Sequence, residues 1–503
     1  ITSMNAHNKI IPIDDAMIIT ENIALCYGHF NLIHPGHLRY LQHAKTLATK
    51  LVVAIVSDKE LDEDSFGQHF SEKERAESVA NLQIVDHVII LDEITLDKLV
   101  TIIKLETLVF GKEFEYKQTS QIRLAIDSVP EQSKIVFHAG VTHYSTANLL
   151  HGSVSDIEGD SRNQLNAICK KYNITLNRLK NRLNSFSDSR LIVIGDTIVD
   201  NYVACDALGM SAEAPVLVVK ELENREFIGG AAIVASHVAA LGAKCHYISA
   251  TGGDGLSDTV YKSLTEQGIG TDLIIDTSRP TTYKTRYMVE NQKLFRVSRI
   301  KNHKISEKIE QKIIDKLIIL APNIDGILVS DFVYGVITKK ILDVIYDLSK
   351  KFNIKLYGDL QCSSQVGNVS KFKGFDLITP TEKESRVALD DNESGIEWIA
   401  NTLLKDTKSK SMLMKLGSDG FIAYSRDRDV QRQNFPALTI NPVDVTGAGD
   451  SLFAAMSVSL SSGSSLIESS VIGACMASLA VKKVGNTPIE NDSLMEYISN
   501  ILD

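Results

Sequence analysis

The chain has 503 residues, too many for one ordinary hydrophobic core, so two or more domains are expected. Lys and Arg number 53 against 63 Asp and Glu, a net charge of −10, which argues against a nucleic-acid partner and makes small anionic ligands depend on local positive sites. No run reaches the roughly 18 apolar residues of a membrane span, and the six cysteines (26, 169, 205, 245, 362 and 475) are too scattered for a disulfide framework or a metal knuckle, so a reducing cytoplasm fits best.

The first third alternates β-branched runs with helical stretches. The runs are 23–27, 51–57, 87–91, 107–111 and 134–138, a pattern that predicts βαβ units and a parallel sheet covered on both faces. Ligands of such sheets lie at the carboxyl ends of the strands. The first run ends in G-H-F-N-L-I-H-P-G-H (28–37), just before Leu38, Leu41 and Ala44 at helical spacing, which puts His34 and His37 at a strand-to-helix crossing. Two imidazoles there can donate to a phosphate that gains charge during nucleotidyl transfer. A zinc pair and two idle surface histidines are the alternatives.

Residues 153–165 are polar and without evident period, and read as a linker, with a helix from about 164 to 186 behind it. The next apolar run, R-L-I-V-I-G-D-T-I-V-D (190–200), is expected to be one strand with Asp196 and Asp200 at its carboxyl end. Two carboxylates there suit sugar hydroxyls, and a helix cap plus a solvated aspartate is the plainer reading. The Gly229-Gly230 pair leads into a helix of small residues, for close approach either to a ligand or to a packing partner. Lys284, Arg286 and Arg296 fall on a predicted strand pair (283–300), within reach of a substrate phosphate or on an exposed charged face.

The run D-V-T-G-A-G-D-S (444–451) places a glycine turn, a helix start and a carboxylate at one point. Free amides at a helix start attract anions. A carboxylate beside them reads as the base that takes a proton from an attacking hydroxyl, so Asp450 marks a phosphoryl-transfer site; an aspartate capping the helix is the alternative.

Residues 20–152 resemble the cytidylyltransferase-like nucleotidyltransferases through the H-x-G-H type run at 34–37 and through K-E-R-A-E-S-V-A (73–80), V-D-H-V-I-I (85–90), F-G-K-E-F (110–114) and Y-S-T-A-N-L-L (144–150). The resemblance implies that His34 and His37 hold a triphosphate, with Gly28 and Arg75 near it and Ser145 and Thr146 closing over the nucleotide. Residues 190–490 resemble the ribokinase-like carbohydrate kinases through V-I-G-D-T-I-V-D, S-A-E-A-P-V-L-V-V-K (211–220), G-G-A-A-I-V-A, Y-K-T-R, N-Q-K-L-F-R, L-V-S-D-F (328–332), T-P-T-E-K-E (379–384), K-L-G-S-D-G (415–420) and D-V-T-G-A-G-D. Here the implied roles are Asp450 as base, Gly447, Ala448 and Gly449 as anion hole, and Asp196, Asp200, Gly229 and Gly230 at the sugar, with Lys284, Arg286 and Arg296 beside it. Lys415, Gly417 and Gly420 would meet the nucleotide, and Glu384 would place Mg²⁺.

Together the two halves are similar to the bifunctional heptose-7-phosphate kinases and heptose-1-phosphate adenylyltransferases, with the domain order reversed. The expectation is an α/β protein: a Rossmann-like nucleotidyltransferase domain (1–152), a linker and connecting helix (153–187), and a ribokinase-like domain with a small β lid (188–503). The resemblance implies ATP and Mg²⁺, a sugar phosphate substrate, no nucleic-acid or membrane partner, and a homodimer formed through the kinase domain. CTP in place of ATP at the N-terminal site, and a nucleotide- or sugar-phosphate-binding regulator, stay open. The chain departs from the family pattern at Asn31, Glu113, Ile233, Tyr334, Gln361 and Thr381, and its loop 60–70 is acidic, with neither Lys nor Arg.

Overall fold

The computed structural model describes residues 9–30, 33, 35–60, 70–111, 120–130, 132–138, 154–211, 213, 216–289, 292–362, 365–392, 394–426, 432–439 and 442–502. The chain divides into two compact units, residues 1–147 with 391–401 and residues 148–390 with 402–503.

The first unit is built on five strands: β1 (Ile23–Gly28), β2 (Lys50–Val56), β3 (His87–Leu91), β4 (Leu105–Gly111) and β5 (Lys134–His138). They form one parallel sheet in the order β3-β2-β1-β4-β5. Each β-branched run read from the sequence is a strand of this sheet. Side chains alternate between its faces: Ile23, Leu25, Val52 and Ala54 enter one buried cluster, and Ala24, Cys26, Leu51 and Val53 the other. A sheet buried on both sides explains the unbroken apolar runs.

In the second unit, β6 (Arg190–Gly195) leads into β7 (Thr197–Met210) and β8 (Leu217–Gly230), followed by β9 (Lys244–Thr251), β10 (Gly270–Ile275), β11 (Thr282–Val289) and β12 (Gln292–Arg299). Then come β13 (Gly326–Asp331), β14 (Lys355–Leu360), β15 (Leu377–Ile378), β16 (Ser411–Lys415), β17 (Phe421–Ser425) and β18 (Arg432–Phe435). Nine of them make the central sheet, β10-β9-β6-β13-β14-β15-β16-β17-β18, and four make a separate lid sheet, β12-β11-β7-β8. The helices Ala231–Ala240, Ala448–Ser461 and Leu466–Ala480, apolar nearly all round, pack with the central sheet in one large core.

Two readings of this half need correction. The stretch 190–200 is two strands: β6 ends at Gly195, and the chain passes through Asp196 into the lid strand β7, so Asp196 and Asp200 do not share a strand end. Glycine is required at 195 because a Cβ there would stand 1.8 Å from the Ser330 carbonyl oxygen on the neighbouring strand. The stretch 153–165 is no loop either, since a helix runs over Val154–Lys171. Its polar residues hide a helical spacing of Val154, Ile157, Ser161, Leu165 and Ile168. The helix expected to continue to 186 breaks at Asn173, whose φ is +53°, and a second helix, Leu176–Asn184, starts on the Thr175 cap.

Candidate functional site

The carboxyl ends of β14, β15 and β16 converge on the start of the helix Ala448–Ser461. Gly447 precedes that helix with φ +81°, a conformation that turns the chain and that L side chains adopt at a cost. Asp450 lies in the first helical turn and is 6% exposed. Facing it, Gln361 donates through Nε2 to Asp450 Oδ1 at 2.5 Å and to Asp359 Oδ2 at 3.0 Å. The other Asp359 oxygen accepts from Lys415 Nζ at 2.7 Å and from Thr379 Oγ1 at 2.6 Å.

Burial pushes the Asp450 carboxyl up to about 7; Asp359 pushes the same way, and Lys415 and Gln361 only partly offset them. Burial works against the Lys415 ammonium too, yet Asp359 and Glu384 outweigh it and hold its pKa above the ordinary value. The result is one buried carboxylate ion-paired with a lysine beside a second whose pKa burial lifts to about 7.

The lid sheet supplies the other wall. Asp200 on β7 accepts from Arg286 Nη1 on β11 at 2.5 Å and from Asn486 Nδ2 at 3.2 Å. A Cβ at Gly229 would lie 2.4 Å from Asp200 Oδ2, and one at Gly447 would lie 2.2 Å from Asn486 Oδ1, so glycine is what lets these four residues interlock. Lys284, two residues before Arg286 on the same face of the lid and 3% exposed, sits over the rings of Phe332 and Tyr334 at 5.5 and 5.2 Å. Arg296 is exposed opposite Arg286 across the β11–β12 pair.

Asp196 is held differently from Asp200. Its carboxylate accepts backbone N–H bonds from Phe332 (2.9 Å), Tyr334 (3.3 Å) and Val336 (3.3 Å), which fix the loop after β13. Burial raises its pKa against the pull of those amides. Gly230 ends β8 beside it. Glu384 caps its own helix: Oε1 accepts from the Cys362 amide at 3.0 Å and Oε2 from the Thr381 amide at 2.8 Å. Gly417 and Gly420 bound the turn between β16 and β17, while Gly449 lies beside Lys415. Among the described residues, no group of three or more His, Cys, Asp or Glu side chains is arranged to hold a metal ion.

In the first unit, Gly28 ends β1 and His37 lies in the helix Pro35–Lys45, its ring 5.0 Å from that of Phe30. Arg75 is buried. Its guanidinium donates to the carbonyls of Phe70 (2.9 Å), His29 (2.8 Å) and Val56 (2.9 Å) and to Asp58 Oδ1 (2.6 Å), tying the carboxyl ends of β1 and β2 together. His34, Ser145, Thr146, Asn31, Glu113 and positions 61–69 of the acidic loop lie outside the described residues.

The sequence marks Gln361 only as a departure from the family pattern and gives Asp359, Thr379, Asn486 and Asp444 no role. The departure from the family pattern at Gln361 is the one signal for it. Asn486 had none.

A family model described as pfkB family carbohydrate kinase matches residues 188–492, and one described as cytidylyltransferase-like matches residues 25–148. The chain is 32% identical over 320 residues to the bifunctional protein HldE of Desulfatibacillum aliphaticivorans, covering 63% of this chain and 64% of that protein. It is 31% identical over 314 residues to HldE of Helicobacter hepaticus, covering 61% and 64%. It thus spans just under two thirds of the length of these curated relatives. Phosphofructokinase-2 from Escherichia coli shares the fold, with a TM-score of 0.52 at 15% identity over 62% of this chain and 99% of that one.

Proposed function

The chain belongs to the pfkB family of carbohydrate kinases, and from that premise we propose that residues 188–503 phosphorylate a sugar phosphate of the heptose 7-phosphate kind from ATP. We further propose that residues 1–152 transfer a nucleotidyl group to the sugar 1-phosphate, giving a nucleotide sugar such as ADP-heptose. The first proposal rests chiefly on the buried Asp450 at a glycine-led helix start, with its pKa near neutrality. The substrate hydroxyl would donate to Asp450, the amides of Gly447, Ala448 and Gly449 would hold the transferring phosphoryl group, and Asp200, set by Arg286 and Asn486, would accept sugar hydroxyls. Lys284, with Arg286 and Arg296, would meet the substrate phosphate.

Lys415 and the turn Gly417–Gly420 fit the nucleotide side. Each Glu384 oxygen accepts one backbone N–H, which orients it and leaves a lone pair, enough to place a Mg²⁺ carried by the triphosphate and largely hydrated. Such an ion neutralises charge on the phosphates. Exposed Leu208, Met210, Leu217 and Leu222 on the outer part of β7 and β8 support a homodimer formed through the lid. No helix among the described residues is long and apolar enough to cross a membrane, and we place the protein in the cytoplasm on its cysteine usage.

Mass spectrometry of products from a panel of sugar phosphates with ATP or CTP tests the reading. Expected are a bisphosphate from ATP and, in sequence, a nucleotide sugar; CTP consumption would assign the alternative nucleotide to the N-terminal site. Binding of ATP without turnover of any sugar would favour a binding module, the second reading, which draws on Gln361 and on Tyr334, whose buried hydroxyl has no partner among the described residues. The His34→Ala/His37→Ala double variant should lower nucleotide stoichiometry in calorimetry on the intact protein; unchanged stoichiometry would remove these histidines from the site.

A further inference from the structure

We propose that Lys293 is a positioning residue that latches the lid sheet onto the turn forming the anion hole. Lys293 is the second residue of β12, the edge strand of the lid, and its ammonium reaches out of that sheet to Asp444 Oδ1 at 2.9 Å and Thr446 Oγ1 at 2.8 Å. A second lid residue joins it: Tyr202 on β7 donates its hydroxyl to Asp444 Oδ2 at 2.8 Å, the oxygen that also accepts the Gly485 amide at 3.2 Å. Asp444 in turn holds its own loop, accepting from the Thr446 amide (3.0 Å) and hydroxyl (2.8 Å). One residue further on is Gly447.

The same face of the lid carries the sugar side. Arg286, which holds Asp200, lies 5.2 Å from the Tyr202 ring, and Lys293 lies 5.9 Å from that ring. One aromatic side chain therefore stands between the cation that sets the sugar-binding carboxylate and the cation that sets the phosphate turn. A lid over an active site has to open for substrate. Opening here would break the Lys293 and Tyr202 bonds to Asp444 and release the turn, and closing would restore both. The anion hole is then fully ordered only when the lid is shut, which couples sugar binding to phosphoryl-group positioning.

The inference rests on the kinase reading for its consequence, but its geometry can be tested without a sugar. The Lys293 side chain is 40% exposed and that of Asp444 5%, so salt should weaken the latch from the lysine side. In the full chain, K293M should speed amide hydrogen exchange of residues 442–451 by at least about tenfold, the worth of one charge-assisted hydrogen bond. Exchange in β6 and β13 should not change. High salt should move wild type toward K293M and leave K293M unaltered, and K293R should restore protection. With ATP and a heptose 7-phosphate, K293M should lose at least about tenfold in kcat while the melting temperature holds. Equal exchange at 442–451 in wild type and K293M, or faster exchange spread evenly through the second unit, would overturn the proposal. A wild type that turns over no sugar yet shows Lys293-dependent protection would overturn the kinase reading and keep the latch.

Discussion

A single amide nitrogen, Gln361 Nε2, bridges Asp450 Oδ1 at 2.5 Å and Asp359 Oδ2 at 3.0 Å. Beside these two buried carboxylates stands one lysine, Lys415, which among the described residues bonds to Asp359 and not to Asp450. The member of the couple without an ion pair among the described residues is Asp450, at the helix start, where the proposed kinase reading requires a proton acceptor.

Asp450→Asn keeps size and turn but cannot accept a proton, so turnover should fall by roughly 10² to 10⁴ while MgATP binding persists. In wild type, kcat/KM should rise with pH up to about 7 and level off, because the base must be ionised to act. Stability should move the opposite way. A carboxyl whose pKa is raised by folding binds its proton more tightly in the native state, so its contribution is complete below the ordinary carboxyl pKa and is lost as pH rises to about 7. Melting temperatures measured from pH 4 to 8 should therefore fall less steeply in Asp450→Asn. A near-normal turnover in that variant would make the carboxylate a helix cap.

Gln361 donates to the ionised form of Asp450 and so pulls its pKa down. Gln361→Leu should shift the acid limb of kcat/KM to higher pH, and Gln361→Lys, which puts a cation against the base, should shift it lower. Identical limbs in all three proteins would show that Asp450 does not control the profile.

The parts of this molecule that could be read from sequence are contiguous. Strands of the first unit announce themselves because both sheet faces are buried, and the turn at Gly447 and the carboxylate at Asp450 stand three residues apart. What could not be read joins residues far apart in the chain: Gln361 to Asp450 across 89 positions, Lys293 to Asp444 across 151, and Asn486 to Asp200 across 286. No periodicity encodes such pairs. The strand break at Asp196 was hidden for a different reason, since only Gly195, Asp196 and Thr197 separate the apolar residues of the central sheet from Ile198 and Val199 of the lid.

Arg75 gives a stability test in the first unit. Arg75→Met would preserve the apolar stem and strip donors from the carbonyls of His29, Val56 and Phe70. The expected cost is on the order of 3 kcal/mol, at about 1 to 3 kcal/mol for the buried Val56 carbonyl and less for the part-buried carbonyls of His29 and Phe70. Asp58, with 37% of its side chain exposed, adds little to that. Hydrogen exchange should quicken in 23–29 and 50–58 and stay unchanged in β13; unaltered exchange there would mean that water replaces the guanidinium.

Gly447 and Asn486 allow a sharper test, because two costs can be separated. Gly447→Ala places a Cβ 2.2 Å from Asn486 Oδ1 and also asks an alanine to hold φ +81°. The dihedral alone costs about 1 to 2 kcal/mol; the collision adds to it unless Asn486 moves, and Asn486 cannot move without giving up Asp200. Gly447→Ala should therefore raise the KM for sugar as well as lower kcat, although the proposed kinase reading gives residue 447 to the phosphate. Asn486→Ala removes the collision but also the amide that steadies Asp200, so alone it should raise the sugar KM about tenfold, the worth of one hydrogen bond to a charged group. Combined, the two substitutions should be less than additive in stability, since the second relieves a clash created by the first. Additive losses in melting free energy would mean that the side chain at 486 already has room to yield, and that the link between the anion-hole glycine and the sugar-side carboxylate is not mechanical.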